Sequence, residues 1–204
     1  MLYPRLASVD GRDVLVDDTQ MVGYGEHLAR EHRILRLHGA ITGEFAFHDY
    51  LIGMDSPTVN PNHDPIKIII TSPGGDLDAT FLLIDTMKTI QSPVITVGRY
   101  CASAACLILA SGEERYLYRH AKTMLHLATG QMGGDYKDFA IQHKLMMEYQ
   151  SKIVDILTEA GVKKSRDEIL TDIDRDFWLD SEECIAYGLA DKILTPETWR
   201  EWIK

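Results

Sequence analysis

The sequence predicts an α/β protein in which helices cover a sheet. Short β-branched runs alternate with longer amphipathic stretches, as strands and helices do when they alternate along a chain. With 204 residues and 45% hydrophobic content, the chain is long enough to bury a core without disulfides or metal ions. We therefore expect a single domain over residues 1–204.

Strands and helices are predicted from residue 33 onward. The predicted strands are Arg33–His38, Ile66–Thr71, Val94–Gly98, Arg115–Tyr118, Thr123–His126 and Lys192–Leu194. The predicted helices are Phe45–Met54, Leu77–Ile90, Ser103–Ser111, Tyr136–Ala160 and Ser181–Tyr187. The last helix has the clearest limits, because Asp180 and Glu183 form a capping-box pattern and Gly188 supplies a left-handed end. The segment Asp55–Pro65 contains three prolines and is expected to be a surface loop.

Charge and cysteine content argue against several kinds of partner. The formal net charge of −10 repels phosphate backbones and anionic lipids, so neither nucleic acid nor membrane is expected as a partner. The longest small and apolar run, Ala102–Ala110, is about half the ~20 residues that a membrane helix needs. Cys101, Cys106 and Cys184 have no CxxC spacing, which predicts neither a disulfide framework nor a zinc site and fits a cytoplasmic protein.

Two stretches that leave a strand and enter a helix carry residues suited to chemistry. In TSPGGD, Thr71–Asp76, paired glycines let the main chain approach a ligand, and N–H groups near a helix N-terminus favour negative charge. In GRYCASAAC, Gly98–Cys106, alanines flank Ser103, so a nucleophilic hydroxyl there is uncrowded. The alternatives are an ordinary strand-to-helix turn and a helix-capping serine.

A serine nucleophile needs a base, and His126 is the candidate. It ends the predicted strand Thr123–His126, so its imidazole is expected to face a cleft, and a pKa near neutrality suits a base. Asp176, in the acidic segment Asp172–Trp178, is the candidate carboxylate to orient the imidazole. A hydrogen-bonded structural histidine and a solvated acidic turn are the alternatives.

Taken together and in this order, these motifs resemble ClpP, the family of proteolytic subunits of the Clp proteases, over about residues 27–194. The matching features are SPGG after a strand, a serine among small residues before LILASG, MLH, a long helix, and DRDFWLDSEECIAYGLADKIL. The resemblance implies the ClpP/crotonase-like fold of repeated β-β-α units with a protruding handle helix, with residues 130–160 as the handle region.

The resemblance also implies roles for particular residues. Ser103 would be the nucleophile, His126 the general base and Asp176 the orienting carboxylate of a serine endopeptidase. The main-chain N–H groups of Gly75 and Ala104 would hold the oxyanion. Asp174 and Arg175 would form an acidic–basic pair that joins the two rings. The implied substrate-binding residues are Gly74, Leu127, Gly130, Gly133 and Gly134. The glycine-rich segment 130–134 corresponds to the strand that holds extended peptide by backbone pairing.

The family implies an assembly as well. Seven subunits form a homo-oligomeric ring, two rings stack around the active sites, and a hexameric AAA+ ATPase unfolds and feeds polypeptide substrates. The peptidase itself needs no metal or nucleotide cofactor. Residues 1–26 match poorly and correspond to the axial loops that contact the ATPase.

The chain departs from the family near the nucleophile. Ala104 stands where the family usually has Met, which is expected to enlarge or flatten the first specificity pocket. Leu127 and Ala128 follow His126 where the family normally has Pro two residues after the histidine, which is expected to reshape the adjoining substrate wall. The order G-R-Y-C-A-S is closer to the signal peptide peptidase branch of the superfamily. Three other functions stay open: a catalytically silent ClpP-like structural subunit, a crotonase-fold acyl-CoA enzyme, and a phage head-maturation peptidase of similar fold.

Overall fold

The computed structural model describes residues 5–9, 12–16, 25 and 27–204. Near the N-terminus, strands β1 (Arg5–Val9) and β2 (Arg12–Val16) pair antiparallel, with Arg5 opposite Val16. The rest of the segment expected to form axial loops, residues 1–26, lies outside the described residues except for Gly25. Its role therefore stays a prediction.

The remaining strands form one mixed sheet. They are β3 (Ile34–His38), β4 (Ile66–Ser72), β5 (Val94–Ala102), β6 (Glu114–Leu125), β7 (Phe177–Leu179) and β8 (Lys192–Ile193). The sheet order is β3-β4-β5-β6-β7, with β8 also paired to β6. Pairing is parallel from β3 to β6 and between β6 and β8, whereas β7 runs antiparallel to β6. The α/β class predicted from the sequence is confirmed.

The helices lie between these strands and after the last one. Those with defined limits are α1 (Phe47–Asp55), α2 (Leu77–Thr89), α3 (Ala104–Ala110), α4 (Tyr136–Glu159), α5 (Arg166–Asp172), α6 (Ser181–Tyr187) and α7 (Pro196–Trp202), and residues 27–32 before β3 are helical as well. The predicted end of α6 is confirmed, because Asp180 and Glu183 form a capping box and Gly188 takes φ 99°. The two strands predicted at Arg115–Tyr118 and Thr123–His126 are instead one strand, β6, which continues past a shift in its register with β5.

Both faces of the sheet are buried. On one face, Ile66, Ile68 and Ile70 of β4 belong to the main core with α2, α3 and the C-terminal part of α4. On the other face, a smaller cluster around Ile69 and Tyr116 is covered partly by Trp199 and Trp202. This two-sided burial explains the unbroken apolar run of β4, since strands covered on both faces lose the alternation of half-buried strands.

The parallel order of β4, β5 and β6 positions the candidate site. Parallel neighbours end at the same edge of a sheet, and each of these three strands is followed there by one of the motifs found in the sequence. Within the part of the chain that the structure describes, no helix is long and apolar enough to cross a membrane.

Candidate active site

The glycine loop after β4 is held close to the strand-to-helix junction after β5. Gly74 and Gly75 take φ 89° and 146°, conformations that side chains rarely allow. The Gly74 N–H donates to the buried Ser72 hydroxyl at 3.0 Å, and the Gly74 carbonyl accepts from the Ile41 N–H at 2.9 Å. A Cβ on Gly74 would lie 2.8 Å from the Ala104 nitrogen, so only glycine lets the two main chains approach this closely.

Ser103 sits in a strained turn between β5 and α3. Its φ and ψ are 56° and −128°, a sparsely populated region for a residue with a side chain. The turn is fixed by the Ser103 N–H, which donates to the Met124 carbonyl at 2.7 Å, and by the Cys106 N–H, which donates to the Ser103 carbonyl at 2.9 Å. The turn directs the hydroxyl out of the sheet edge, toward the residue that follows β6.

That residue is His126. Its Nε2 lies 2.7 Å from the Ser103 Oγ, within hydrogen-bonding distance. The segment after His126 is anchored at two points, because the Leu127 N–H donates to the Ile173 carbonyl at 2.9 Å and the Ala128 N–H donates to Gln150 Oε1 at 2.8 Å. The structure thus brings a hydroxyl and an imidazole together in the arrangement that activates a nucleophile.

Two main-chain N–H groups beside Ser103 have no protein acceptor among the described residues. The Gly75 N–H makes no hydrogen bond, although its neighbours pair with Ile41 on both sides. The Ala104 N–H is the first of helix α3 and so has no partner within the helix. Two such donors next to a nucleophile are suited to stabilise the oxyanion of a tetrahedral intermediate.

Asp176 lies near His126 but makes no hydrogen bond to it within the described chain. Both residues line an open cavity of about 600 Å³, Asp176 from the exposed loop between α5 and β7. The adjacent Asp174 and Arg175, expected to pair across rings, form an ion pair with each other at 3.2 Å, and both are exposed. Of the three candidate catalytic residues, the structure therefore joins Ser103 and His126 and places Asp176 on the wall of a cavity that His126 also lines.

An apolar cavity of about 40 Å³ opens beside the Ser103 hydroxyl. Leu107, Leu125 and Ile153 line it and are each buried, and among the described residues no Asp, Glu, Lys or Arg side chain lines it. At about 30 Å³ for each water molecule in the liquid, a cavity of this volume holds one or two water molecules or a small apolar group. It is suited to a small apolar group that lies beside the Ser103 hydroxyl.

The glycine-rich segment after His126 has no strand partner among the described residues. Residues 126–135 form no strand, so the peptide-pairing strand expected at residues 130–134 stays a prediction. Gly130 and Leu127 line the cavities near Ser103, and Gly134 takes φ 110° next to Asp138. Gly133 is paired with the Gln142 side chain of helix α4.

The three cysteines are free and buried. Burial raises the pKa of Cys184 to about 11 and raises those of Cys101 and Cys106 as well, so all three remain thiols at neutral pH. The Cys106 thiol donates to the Cys101 carbonyl at 2.8 Å. Among the described residues, no group of three or more His, Cys, Asp or Glu side chains is placed to hold a metal ion.

Sequence reasoning missed the contribution of helix α4 to the site. Ile153 closes the small apolar cavity, Gln150 holds the Ala128 N–H, and the Tyr149 hydroxyl donates to Asp78 at 2.8 Å at the start of α2. No local motif marks these residues. Their roles follow from the path of α4 across the sheet edge.

Comparison with known proteins identifies relatives for most of the chain. The model of the Clp protease family matches residues 25–197. The ATP-dependent Clp protease proteolytic subunit 1 of Rhodopirellula baltica is 36% identical over 132 residues, which are 63% of this chain and 58% of that protein. Proteolytic subunits 2 of Bifidobacterium longum and Streptomyces avermitilis are each 36% identical over 68% of this chain, covering 68% and 70% of those proteins.

Proposed function

The chain belongs to the Clp protease family, and from this premise we propose that it is a serine endopeptidase, the proteolytic subunit of an ATP-dependent protease. The observation that carries the proposal is the 2.7 Å contact between Ser103 Oγ and His126 Nε2 beside two unpaired main-chain N–H groups. Acyl transfer by a serine requires this combination.

Each residue has a defined role in the proposed reaction. Ser103 Oγ attacks the peptide carbonyl while His126 Nε2 takes the hydroxyl proton and then delivers it to the leaving amine. The N–H groups of Gly75 and Ala104 hold the oxyanion. A water molecule, deprotonated by His126, then hydrolyses the acyl-enzyme ester and restores the Ser103 hydroxyl.

Asp176 completes the triad in this proposal. It shares a cavity with His126 and comes from an exposed loop, and in this proposal a movement of that loop brings its carboxylate to Nδ1 of the imidazole. A carboxylate there fixes the tautomer in which Nε2 accepts the serine proton. Asp174 and Arg175 precede it directly, so a change in their pairing on ring stacking would move the same loop.

The proposed substrates are unfolded polypeptides. The apolar cavity at Ser103 accepts an apolar side chain, and Leu127, Gly130, Gly133 and Gly134 supply main chain to pair with extended peptide. The N–H and carbonyl of Gly74 are already bonded to Ser72 and Ile41, so Gly74 contributes through its close approach to Ala104 rather than by pairing. No bound cofactor takes part in this chemistry. The three unpaired cysteines favour a cytoplasmic location.

The proposed assembly is two stacked rings of seven subunits that receive substrate from an AAA+ unfoldase. Helix α4 supports self-association, because its N-terminal half carries exposed apolar side chains that are rarely left in water in such numbers. Tyr136, Ile141 and Met147 are 78%, 67% and 57% exposed. The names of the relatives, which specify ATP dependence, support the unfoldase.

The test is hydrolysis of a denatured protein and of a fluorogenic peptide by the purified assembly. Ser103→Ala is expected to lower peptide hydrolysis by a factor on the order of 10³ or more. Ser111→Ala is the matched control, since Ser111 lies at the other end of α3 and its hydroxyl donates to the Leu107 carbonyl. An assembled wild-type protein that hydrolyses neither substrate would instead favour the structural, non-catalytic subunit.

A further inference from the structure

Gln142 of helix α4 makes an unusual contact with the glycine-rich segment. The Gly133 N–H donates to Gln142 Oε1 at 3.0 Å, and Gln142 Nε2 donates to the Gly133 carbonyl at 2.8 Å. One carboxamide thus satisfies both main-chain groups of a single residue. For this to happen, the N–H and the carbonyl of Gly133 must point to the same side.

This arrangement reproduces one residue pair of an antiparallel ladder. In such a ladder, two opposite residues exchange both of their N–H to carbonyl hydrogen bonds. The Gln142 side chain supplies the same donor and acceptor as the peptide groups of a neighbouring strand. Gly133 is therefore already set to accept an extended chain, and Gln142 occupies that chain's place.

The contact lies at a cavity that continues the candidate active site. This cavity of about 320 Å³ separates residues 75–78 from residues 129–132, and Gln142 forms part of its wall. Gly75, Leu77 and Thr129 line both this cavity and the smaller one at Ser103. A peptide that extends from Ser103 along the glycine-rich segment would pass through it.

We propose that Gln142 is a positioning residue whose carboxamide occupies the N–H and carbonyl of Gly133 until an extended peptide displaces it and pairs with those two groups. The inference rests on the proposed function, since it takes the peptide at Ser103 to be the occupant. The occupant is a peptide rather than a second copy of this chain, because the cavity that Gln142 walls connects to Ser103. Binding must then give up two hydrogen bonds to Gln142 before it forms its own.

The test measures peptide affinity without turnover. In the assembled Ser103→Ala protein, Gln142→Ala is expected to tighten binding of a fluorescein-labelled apolar decapeptide by about 3- to 10-fold, read by anisotropy, because the closed state no longer competes. In the active protein, the same change lowers KM for that peptide and leaves kcat within about twofold. His143→Ala is the matched control, since His143 is exposed on the same helix.

Opposite or absent effects overturn the inference. Weaker peptide binding in Gln142→Ala would show that Gln142 supports the conformation that binds peptide. Unchanged binding would show that the Gln142 side chain does not compete with the peptide for Gly133. Altered sedimentation with unchanged peptide affinity would show that the main-chain groups of Gly133 pair with another copy of the chain rather than with peptide. Labelling of Ser103 by a small fluorophosphonate, which does not reach Gly133, separates this failure from failure of the proposed function.

Discussion

Replacing Gly74 by alanine tests how the glycine loop is coupled to the turn that carries Ser103. Gly74 is buried at φ 89°, and a Cβ there would lie 2.5 Å from the Ala102 carbonyl oxygen, 2.8 Å from the Ala104 nitrogen and 2.9 Å from the Ser103 Cβ. Two of these three neighbours are main-chain atoms, which cannot rotate away. The substitution must therefore push apart the loop and the turn that carries Ser103.

The expected cost has two parts. An alanine in the left-handed region loses about 1–2 kcal/mol, and overpacking against main chain costs about 1–3 kcal/mol more. Gly74→Ala should therefore lower the free energy of unfolding by about 2–5 kcal/mol and Tm by about 4–20 °C for a chain of this size. Because the clash is with Ser103 and Ala104, modification of Ser103 should slow as well.

The assay is calorimetric or urea unfolding together with the rate of fluorophosphonate modification. Gly53→Ala is the matched control, since Gly53 lies exposed in helix α1 and a Cβ added there would meet nothing within 4 Å. There the same substitution should stabilise the protein by up to about 1 kcal/mol. If Gly74→Ala unfolds within about 0.5 kcal/mol of the wild type and reacts at the same rate, the inferred close approach is wrong.

Three further predictions concern the fold. Partial burial raises the pKa of Asp55, but hydrogen bonds led by the Ser92 hydroxyl outweigh it and lower that pKa to about 2. Asp55→Asn should thus cost about 1–2 kcal/mol at pH 7, and urea melts should show the difference disappearing as pH falls from about 4 to 2. The three buried cysteines should resist a thiol reagent at pH 8 until denaturant is added, and rapid native modification would contradict their burial. Arg115 donates to Asp191 and to two main-chain carbonyls, so Arg115→Ala should cost about 2–4 kcal/mol in urea melts, whereas a loss below about 0.5 kcal/mol would contradict this.

The sheet and its covering helices could be predicted because burial leaves a local pattern. The run Ile66–Ile70 is apolar at four of five positions since β4 is covered on both faces, and α6 carries its own start and stop residues. The break predicted within β6 was wrong. The exposed Arg119 and His120 interrupt the apolar pattern at the register shift with β5, beyond which the pairing resumes at Lys122.

The residues of the candidate site could be predicted from the sequence, whereas the backbone conformation of Ser103 and the position of Asp176 could not. Ser103 and His126 follow neighbouring parallel strands, so their meeting follows from sheet order. The positive φ of Ser103 could not be read from the sequence, because it is imposed by tertiary bonds such as that to the Met124 carbonyl rather than by a glycine. Asp176 lies in an exposed loop, where few contacts fix the backbone, so spacing alone does not determine its distance from His126.

The contact between Gln142 and Gly133 illustrates a different limit. A side chain on a helix reaches main chain nine residues earlier only because the glycine-rich segment folds back along α4. Glycines permit many paths, so no periodicity or capping signal encodes this one.

The most direct test of the central claim is modification by a fluorophosphonate followed by peptide mapping. The account predicts one adduct, on Ser103, that is absent in Ser103→Ala and forms on the order of 10³-fold more slowly in His126→Ala. An adduct on another residue, or an unchanged rate without the imidazole, would contradict the assignment of Ser103 and His126 as nucleophile and base.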